Sequence, residues 1–392
     1  MNRLFINKKP LLYITCIAFI CAFLLTGCGT LPAASSDDNS AFPDMTAAAA
    51  IAGEVVSLRI ADLQDDYAYY FTADEYRMMV DDYEGSFGGI GVSMVNDDDN
   101  NVIIYNVMDD TPAAGSGIAM GDCVIAVNGE DITGLGTSEA VLRIRGEIGT
   151  YVHITLRRAE SEETYDVTLT RAQIHTESLL GETMADVPDT AYIRIYDFNE
   201  ETLTDFVNLY SDLNDERPIK NIILDLRANG GGSFYAAINI ANYFVPNARV
   251  IVQEKTSIDM TPFYSNSGML NGIKLYILQD QWSASASEVL IGALRDNAGA
   301  VLIGDTSYGK GITQTLASLS SGSGLRYTRG RYYTPNGYDL HELGIAPDHL
   351  VPTPASALYE EYFSMDTEKN LHLQKAIELI MAAQQPEPGE VQ

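Results

Sequence analysis

Residues 281–314, QWSASASEVLIGALRDNAGAVLIGDTSYGKGITQ, decide the fold prediction for this chain. Serine and alanine alternate at the start of the stretch, and residues 285–293 then have the apolar spacing of a helix. Residues 300–303 form a short apolar run typical of a buried strand. A helix followed by a buried strand is part of a βα repeat, so the stretch predicts an α/β core.

Ser285 is the residue of this stretch that we expect to carry chemistry. At the junction before the helix, its hydroxyl would lie at a helix amino terminus, where the local field favours developing negative charge. Helix capping is the structural alternative, and it would account for a serine at position 283 or at position 287 considered alone. Capping does not explain the alternation with alanine, which keeps the site small enough for a substrate backbone.

Lys310 is the candidate general base. It lies between Gly309 and Gly311, which we interpret as clearance for a substrate backbone. A lysine with an ordinary pKa of about 10.4 is protonated at neutral pH, so it acts as a base only where burial favours its neutral form. Gln314, expected one helical turn further on, could hold the lysine head without adding charge.

A third part of the site is predicted at residues 224–232, LDLRANGGG, where a strand runs into three consecutive glycines. Backbone N–H groups at such a turn can stabilise an oxyanion. We expect the amide of Gly231 in this role, less firmly that of Gly232, with the amide of Ala286 as the second donor. A tight βα turn without catalytic function is the alternative.

The flanking sequence predicts two domains. Residues 174–384 alternate strand-like and helical segments, which indicates an α/β (α+β) core with crossover connections, and residues 385–392 form a polar tail. Helices within this core are predicted at residues 202–213, 234–244 and 371–383. Short strand-like runs with turn signals fill residues 87–173, which predicts a mainly-β domain inserted before the core.

Residues 44–86 are predicted to be a helical segment. Helix-like spacing occurs at residues 47–60 and 72–83, and Thr72 with Glu75 has the spacing of a capping box. Packing against a neighbouring domain is the favoured interpretation of this segment, and a homodimer contact through its helices is the alternative.

The first 28 residues resemble a bacterial lipoprotein signal. Positive charge at Arg3, Lys8 and Lys9 precedes an apolar run that is short for a membrane span of about 20 residues. The run ends in LTGC, which implies cleavage before Cys28 and lipidation of its thiol; an uncleaved anchor is the alternative. Either one places the remainder outside the cytoplasm at a membrane face, with residues 29–43 as a flexible tether.

Charge and cysteine content restrict the partners. The formal net charge of −30 disfavours nucleic acid, and we predict neither a cofactor nor a metal site. Of the four cysteines, only Cys123 would remain unmodified after processing. We therefore expect it to be a buried structural thiol without a disulfide partner.

Residues 87–173 resemble a PDZ domain. Residues 87–92, FGGIGV, are similar to the glycine-rich loop of that family, and residues 111–118 and 121–129 are similar to its later turn and hairpin. A helix and closing strands follow in the family order. The resemblance implies a backbone nest for the free carboxyl terminus of a peptide or protein. Its residues are Gly89, Ile90, Gly91 and Val92.

Taken together, these motifs resemble the carboxy-terminal processing, or tail-specific, serine proteases, whose core is a crotonase-like fold. The resemblance extends over roughly residues 79–351. It implies a serine endopeptidase with Ser285 as the nucleophile, Lys310 as its base and Gln314 as the residue that orients the lysine. Residues 228–232, ANGGG, depart from the family's usual NNPGG but keep both oxyanion glycines.

Three other functions compete with this one. Residues 304–311, GDTSYGKG, nearly match a nucleotide-binding P-loop, but Gly311 stands where a magnesium-binding Ser or Thr is needed. A Ser-His-Asp hydrolase would need His341 or His349, both in a loop-rich segment. A PDZ-like binding lipoprotein with an inactive core is disfavoured because all three catalytic residues are present.

Overall fold

The computed structural model of the protein describes residues 65–97, 99–159, 161, 163–353 and 362–384. The predicted lipidation site at Cys28, the tether at 29–43, the helix at 47–60 and the tail at 385–392 therefore lie outside the described residues. Within the described part, none of the helices has the length and apolarity that crossing a membrane requires.

The described chain starts with a short strand and a capped helix, β1 (Tyr69–Phe71) and α1 (Ala73–Glu84). The Thr72 hydroxyl accepts a hydrogen bond from the Glu75 N–H at 3.3 Å. The Glu75 carboxylate in turn accepts one from the Thr72 N–H at 2.8 Å. The predicted capping box is therefore confirmed.

The inserted domain is mainly β and is entered and left through an antiparallel ribbon of β2 (Ser86–Gly89) and β9 (Ala172–His175). Its remaining strands are β3 (Val92–Asn96), β4 (Val102–Val107), β5 (Cys123–Val127), β6 (Glu130–Asp131), β7 (Tyr151–Arg157) and β8 (Thr164–Thr170). They form an antiparallel sheet of order β3-β4-β5-β7-β8, with β6 paired to β5. The helix α2 (Thr137–Ile144) lies at its predicted place, and Cys123 is a buried free thiol.

A six-stranded sheet, here called the core sheet, forms the predicted α/β core. Its strands are β10 (Leu179–Thr183), β11 (Thr190–Ile195), β12 (Asn221–Asp225), β15 (Lys274–Gln279), β16 (Val301–Gly304) and β19 (His349–Leu350). They lie in the order β10-β11-β12-β15-β16-β19. Only β10 runs antiparallel to its neighbour.

Helices cover both faces of the core sheet. They are α3 (Thr202–Glu216), α4 (Phe234–Phe244), α5 (Ala286–Ala298) and α6 (Leu371–Ala383). Within β12, Ile222 and Leu224 pack in the cluster with α4 and α5, whereas Ile223 packs in the cluster with α6. The central strands β11 and β12 are buried along their whole length, as parallel strands with crossover helices on both faces require.

A third sheet, here called the outer sheet, has five strands. It contains β1, β13 (Val250–Thr256), β14 (Met260–Tyr264), β17 (Ile312–Ser318) and β18 (Gly324–Tyr333), all antiparallel. The expected helical turn from Lys310 to Gln314 is wrong, because Gln314 lies on β17 opposite Thr328 of β18. The β-branched residues Ile312 and Thr313 favour this strand.

Candidate active site

Ser285 lies between β15 and α5, at the edge of the core sheet where the parallel strands end. It is the N-cap of α5 and has φ of +56° and ψ of −114°, a strained conformation for a residue other than glycine. Its neighbours Ser283 and Ser287 are buried, and their hydroxyls donate to the carbonyl oxygens of Leu226 and Asn229. The flanking serines are therefore structural, whereas Ser285 is partly exposed.

The glycine loop, residues 226–233 between β12 and α4, packs directly against the serine. A Cβ atom built on Gly231 would lie 2.8 Å from Ser285 Cβ and 3.0 Å from the Ala286 amide nitrogen. The predicted oxyanion residues are thus neighbours. However, the Gly231 N–H donates to Asn229 Oδ1 at 2.9 Å. In this conformation the Gly231 donor is engaged within its own loop, and it must leave Asn229 before it can bind an oxyanion.

Glu288 connects the serine to the lysine loop, residues 305–311 between β16 and β17. Its buried carboxylate accepts hydrogen bonds from the N–H groups of Ser285 at 2.9 Å, Lys310 at 2.8 Å and Gly309 at 2.7 Å. The Ser307 hydroxyl donates to it at 2.6 Å. Burial raises the pKa of this carboxyl, and the four hydrogen bonds oppose that shift.

Sequence reasoning missed Glu288, although it stands at the capping-box position three residues after Ser285. It also missed Tyr332 on β18, whose buried hydroxyl lies 2.8 Å from the Ser285 carbonyl oxygen and also contacts the Lys310 carbonyl oxygen. Burial is the main cause that raises the pKa of Tyr332, followed by the charge of Glu288. Both residues hold the backbones of the serine and the lysine together.

The glycines beside Lys310 allow close packing of the chain against itself, which is not the role that was predicted for them. A Cβ atom on Gly309 would lie 2.9 Å from the Gly344 nitrogen, and one on Gly311 would lie 2.8 Å from the His341 nitrogen. The chain's own residues occupy this space, so the interpretation as clearance for a substrate backbone is wrong. The P-loop alternative is also disfavoured, because loop amides already bind the carboxylate of Glu288 and a strand follows the loop.

The side chains of Lys310 and Gln314 both lie near Tyr67. Lys310 Nζ is 5.8 Å from the centre of the Tyr67 ring, and Gln314 Nε2 donates to the Tyr67 carbonyl oxygen at 3.1 Å. Lys310 and Gln314, two of the predicted site residues, therefore share one region with Tyr67.

The competing histidines differ in position. The His341 ring lies 6.4 Å from that of Tyr67, and its buried Nδ1 has no hydrogen-bond partner in the described part of the chain. His349 lies on β19, at the edge of the core sheet. His341 is thus near the site, which makes it the natural control for a mechanism that uses the lysine.

The predicted carboxylate-binding loop, residues 89–92, connects β2 to β3. The carbonyl oxygens of Ile90 and Gly91 accept hydrogen bonds from the N–H groups of Ala113 and Met108 at 2.8 and 3.0 Å. Ile90 itself is buried. The loop is therefore anchored through its carbonyl groups and its apolar side chain.

The chain is similar to known proteins in both domains. Residues 189–351 match the model of peptidase family S41, and residues 88–169 match that of the PDZ domain. The carboxy-terminal-processing protease of Bartonella bacilliformis is 33% identical over 319 residues, which cover 80% of this chain and 71% of that protein. The carboxy-terminal processing protease CtpB of Bacillus subtilis is 30% identical over 307 residues, covering 78% of this chain and 62% of that protein. The crystal structure of an S41 protease from Bacteroides fragilis, 14% identical, shares the fold with a TM-score of 0.51 over 90% of this chain and 94% of that chain.

Proposed function

Because the chain belongs to the carboxy-terminal-processing serine proteases of family S41, we propose that Ser285 is its nucleophile, Lys310 the general base and Gln314 the residue that orients the lysine. One observation carries this assignment. The single carboxylate of Glu288 binds the backbone N–H groups of both Ser285 and Lys310. The two loops are thereby held at a fixed spacing, as a nucleophile and its base require.

In the proposed reaction, Ser285 Oγ attacks the scissile carbonyl carbon while the neutral Lys310 amine takes the hydroxyl proton. The amides of Gly231 and Ala286 stabilise the oxyanion that forms. Collapse of this intermediate breaks the C–N bond, and the lysine ammonium returns the proton to the leaving amine. Water, deprotonated by the same lysine, then hydrolyses the acyl-enzyme.

One local movement would complete the oxyanion site. The Gly231 N–H exchanges Asn229 Oδ1 for the oxyanion. The movement is small, because Gly231 already packs on Ser285. Substrate binding supplies the free energy for the closure.

The proposal assigns tail recognition to the PDZ domain. The loop at residues 89–92 would bind the substrate's free carboxylate through backbone N–H groups, and the adjoining chain would add as a strand. The ribbon of β2 and β9 connects this domain to the protease core. The tail would thus be captured by one domain and cut by the other.

The proposed substrates are extracytoplasmic proteins. This part of the proposal rests on the sequence LTGC ending at Cys28, which would anchor the protease to the cell membrane by lipid, as a bacterial lipoprotein. Mass spectrometry of the amino-terminal peptide tests it, since an unmodified Cys28 would contradict the anchor. A homodimer through residues 44–86 is the secondary expectation, and light scattering of the purified ectodomain at a monomer mass would contradict it.

Cleavage of a protein with an unstructured apolar tail tests the catalytic assignment. Ser285→Ala and Lys310→Ala should each abolish cleavage, whereas His341→Ala should retain it. Loss of activity in His341→Ala together with retention in Lys310→Ala would overturn the Ser-Lys assignment. Amidation of the substrate's carboxyl terminus should slow cleavage, and equal rates for the amidated and free tails would contradict recognition of the carboxylate.

A further inference from the structure

The segment that precedes α1 is firmly attached to the outer sheet beside the lysine. The Asp65 carboxylate accepts hydrogen bonds from the Thr328 N–H at 2.7 Å, the Thr328 hydroxyl at 2.8 Å and the Tyr67 N–H at 3.1 Å. Burial alone would raise the pKa of Asp65, but the bonds from Thr328 and Tyr67 outweigh it and lower the pKa. An ionised carboxylate therefore fixes the backbone at Tyr67.

Tyr67 contacts two of the residues to which the proposed function assigns roles. Its carbonyl oxygen accepts from Gln314 Nε2 at 3.1 Å, and its ring centre lies 5.8 Å from Lys310 Nζ. Nothing in the sequence pattern indicates this, because Gln314 and Tyr67 are separated by 247 positions. The amino-terminal segment thus contributes to the region of the site that contains the base.

We propose that Tyr67, held by Asp65, is a positioning residue for the general base and acts through Gln314. This inference rests on the roles proposed above for Lys310 and Gln314. A carboxamide has one donor end and one acceptor end. Because the Tyr67 carbonyl takes the donor Nε2, the acceptor Oε1 is the end left for a lysine N–H.

The orientation of the amide matters for the proton transfer. A neutral amine has two N–H donors and one lone pair. When one N–H is held by Gln314 Oε1, the lone pair has fewer directions and can be directed at the Ser285 hydroxyl. If the amide turned over, its NH2 group would donate to the lysine lone pair, which would then be unavailable to the Ser285 hydroxyl. The Tyr67 ring covers the Lys310 amine on one side and limits the other positions that the amine can occupy.

The test measures the rate at which an alkyl fluorophosphonate labels Ser285, together with KM and kcat for a peptide with a free carboxyl terminus. Asp65→Ala frees the backbone at Tyr67 and should lower the labelling rate and kcat by about ten-fold, less than the ~100-fold that a 1 Å misplacement can cost, with KM within two-fold. Tyr67→Ala removes the ring beside Lys310 but keeps the carbonyl, so it should lower both rates less than Asp65→Ala does. Tyr67→Phe keeps the ring and the carbonyl and should behave like the wild type. The matched control is Asp66→Ala, because Asp66 is exposed and adjoins both residues.

A double-mutant cycle with Gln314→Ala separates positioning from a general structural effect. If the backbone at Tyr67 acts through Gln314, then Asp65→Ala combined with Gln314→Ala should label no more slowly than the slower single variant. Multiplied losses in the double variant would overturn the inference, as would wild-type labelling in Asp65→Ala.

Two further arms keep the result interpretable. If Asp65→Ala does not fold, as judged by circular dichroism, Thr328→Val removes one of its three hydrogen bonds and should lower labelling by about two- to three-fold; an unchanged rate would contradict the inference. Lys310→Ala is measured in the same assay. If Lys310→Ala still labels at the wild-type rate, the proposed function itself is refuted. If Lys310→Ala loses labelling while the Tyr67 and Asp65 variants label normally, only the role of Tyr67 is refuted.

Discussion

Replacement of Glu288 by glutamine tests how strongly the serine and the lysine depend on their shared carboxylate. The carboxylate accepts four hydrogen bonds, but a glutamine amide has only one oxygen. In the least costly arrangement, that oxygen accepts from Ser285 and Lys310 while the NH2 group donates to the Ser307 hydroxyl. The Gly309 N–H then faces another donor and remains unpaired.

A buried unpaired donor costs about 1–3 kcal/mol, which corresponds to a loss of roughly 5- to 150-fold if the cost falls on the reacting geometry. We therefore expect kcat/KM of Glu288→Gln to fall by about 10- to 100-fold, with most of the loss in kcat. The assay is steady-state cleavage of a quenched fluorescent peptide with a free carboxyl terminus. Glu254→Gln is the matched control, since Glu254 is also buried but its carboxylate binds Arg329 and not the N–H groups of Ser285 or Lys310. Activity of Glu288→Gln within two-fold of the wild type would refute the reasoning.

Three further predictions follow from the same region. Tyr332→Phe removes the hydroxyl bound to the Ser285 carbonyl and should lower thermal stability by about 1–2 kcal/mol and kcat by several-fold; unchanged melting and kcat would contradict this role. Gly231→Ala places a methyl group 2.8 Å from Ser285 Cβ. It should lower kcat by at least ~100-fold, the loss that removal of an oxyanion donor causes. A kcat close to that of the wild type would exclude Gly231 from the site. Burial raises the pKa of Asp197 to about 6, so this carboxyl favours folding in acid and opposes it once pH rises through 6. Asp197→Asn should therefore be about 1–3 kcal/mol more stable than the wild type near pH 7.5 and not near pH 4, and equal effects at both pH values in melting experiments would contradict this.

Local sequence signals predicted the elements that depend on local physics. The helices α4 and α6 occur at the predicted residues because each has an apolar face and a side-chain cap, at Ser233 and Asn370 respectively. Ser285 was identifiable because a helix start and a small-residue environment are both visible in sequence. The same holds for the buried strands of the core sheet, whose apolar runs are continuous.

Nonlocal contacts account for what the sequence did not reveal. The strand that contains Gln314 depends on pairing with β18. The Glu288 carboxylate accepts hydrogen bonds from donors that lie 19 to 22 positions later in the chain. The glycines beside Lys310 were misinterpreted because the residues that fill their space, 341–344, come later in the chain. Glycine spacing shows that something approaches the backbone closely, but it does not show what approaches.

The most direct test of the central claim is a mass measurement of the acyl-enzyme. Wild-type protein and Lys310→Ala would be quenched in acid milliseconds to seconds after mixing with an activated peptide ester that has a free carboxyl terminus. The account predicts that the acyl group accumulates on the proteolytic peptide containing Ser285 in the wild type and is absent from Lys310→Ala. Acylation of a different residue, or equal acylation of Ser285 without the lysine, would contradict it.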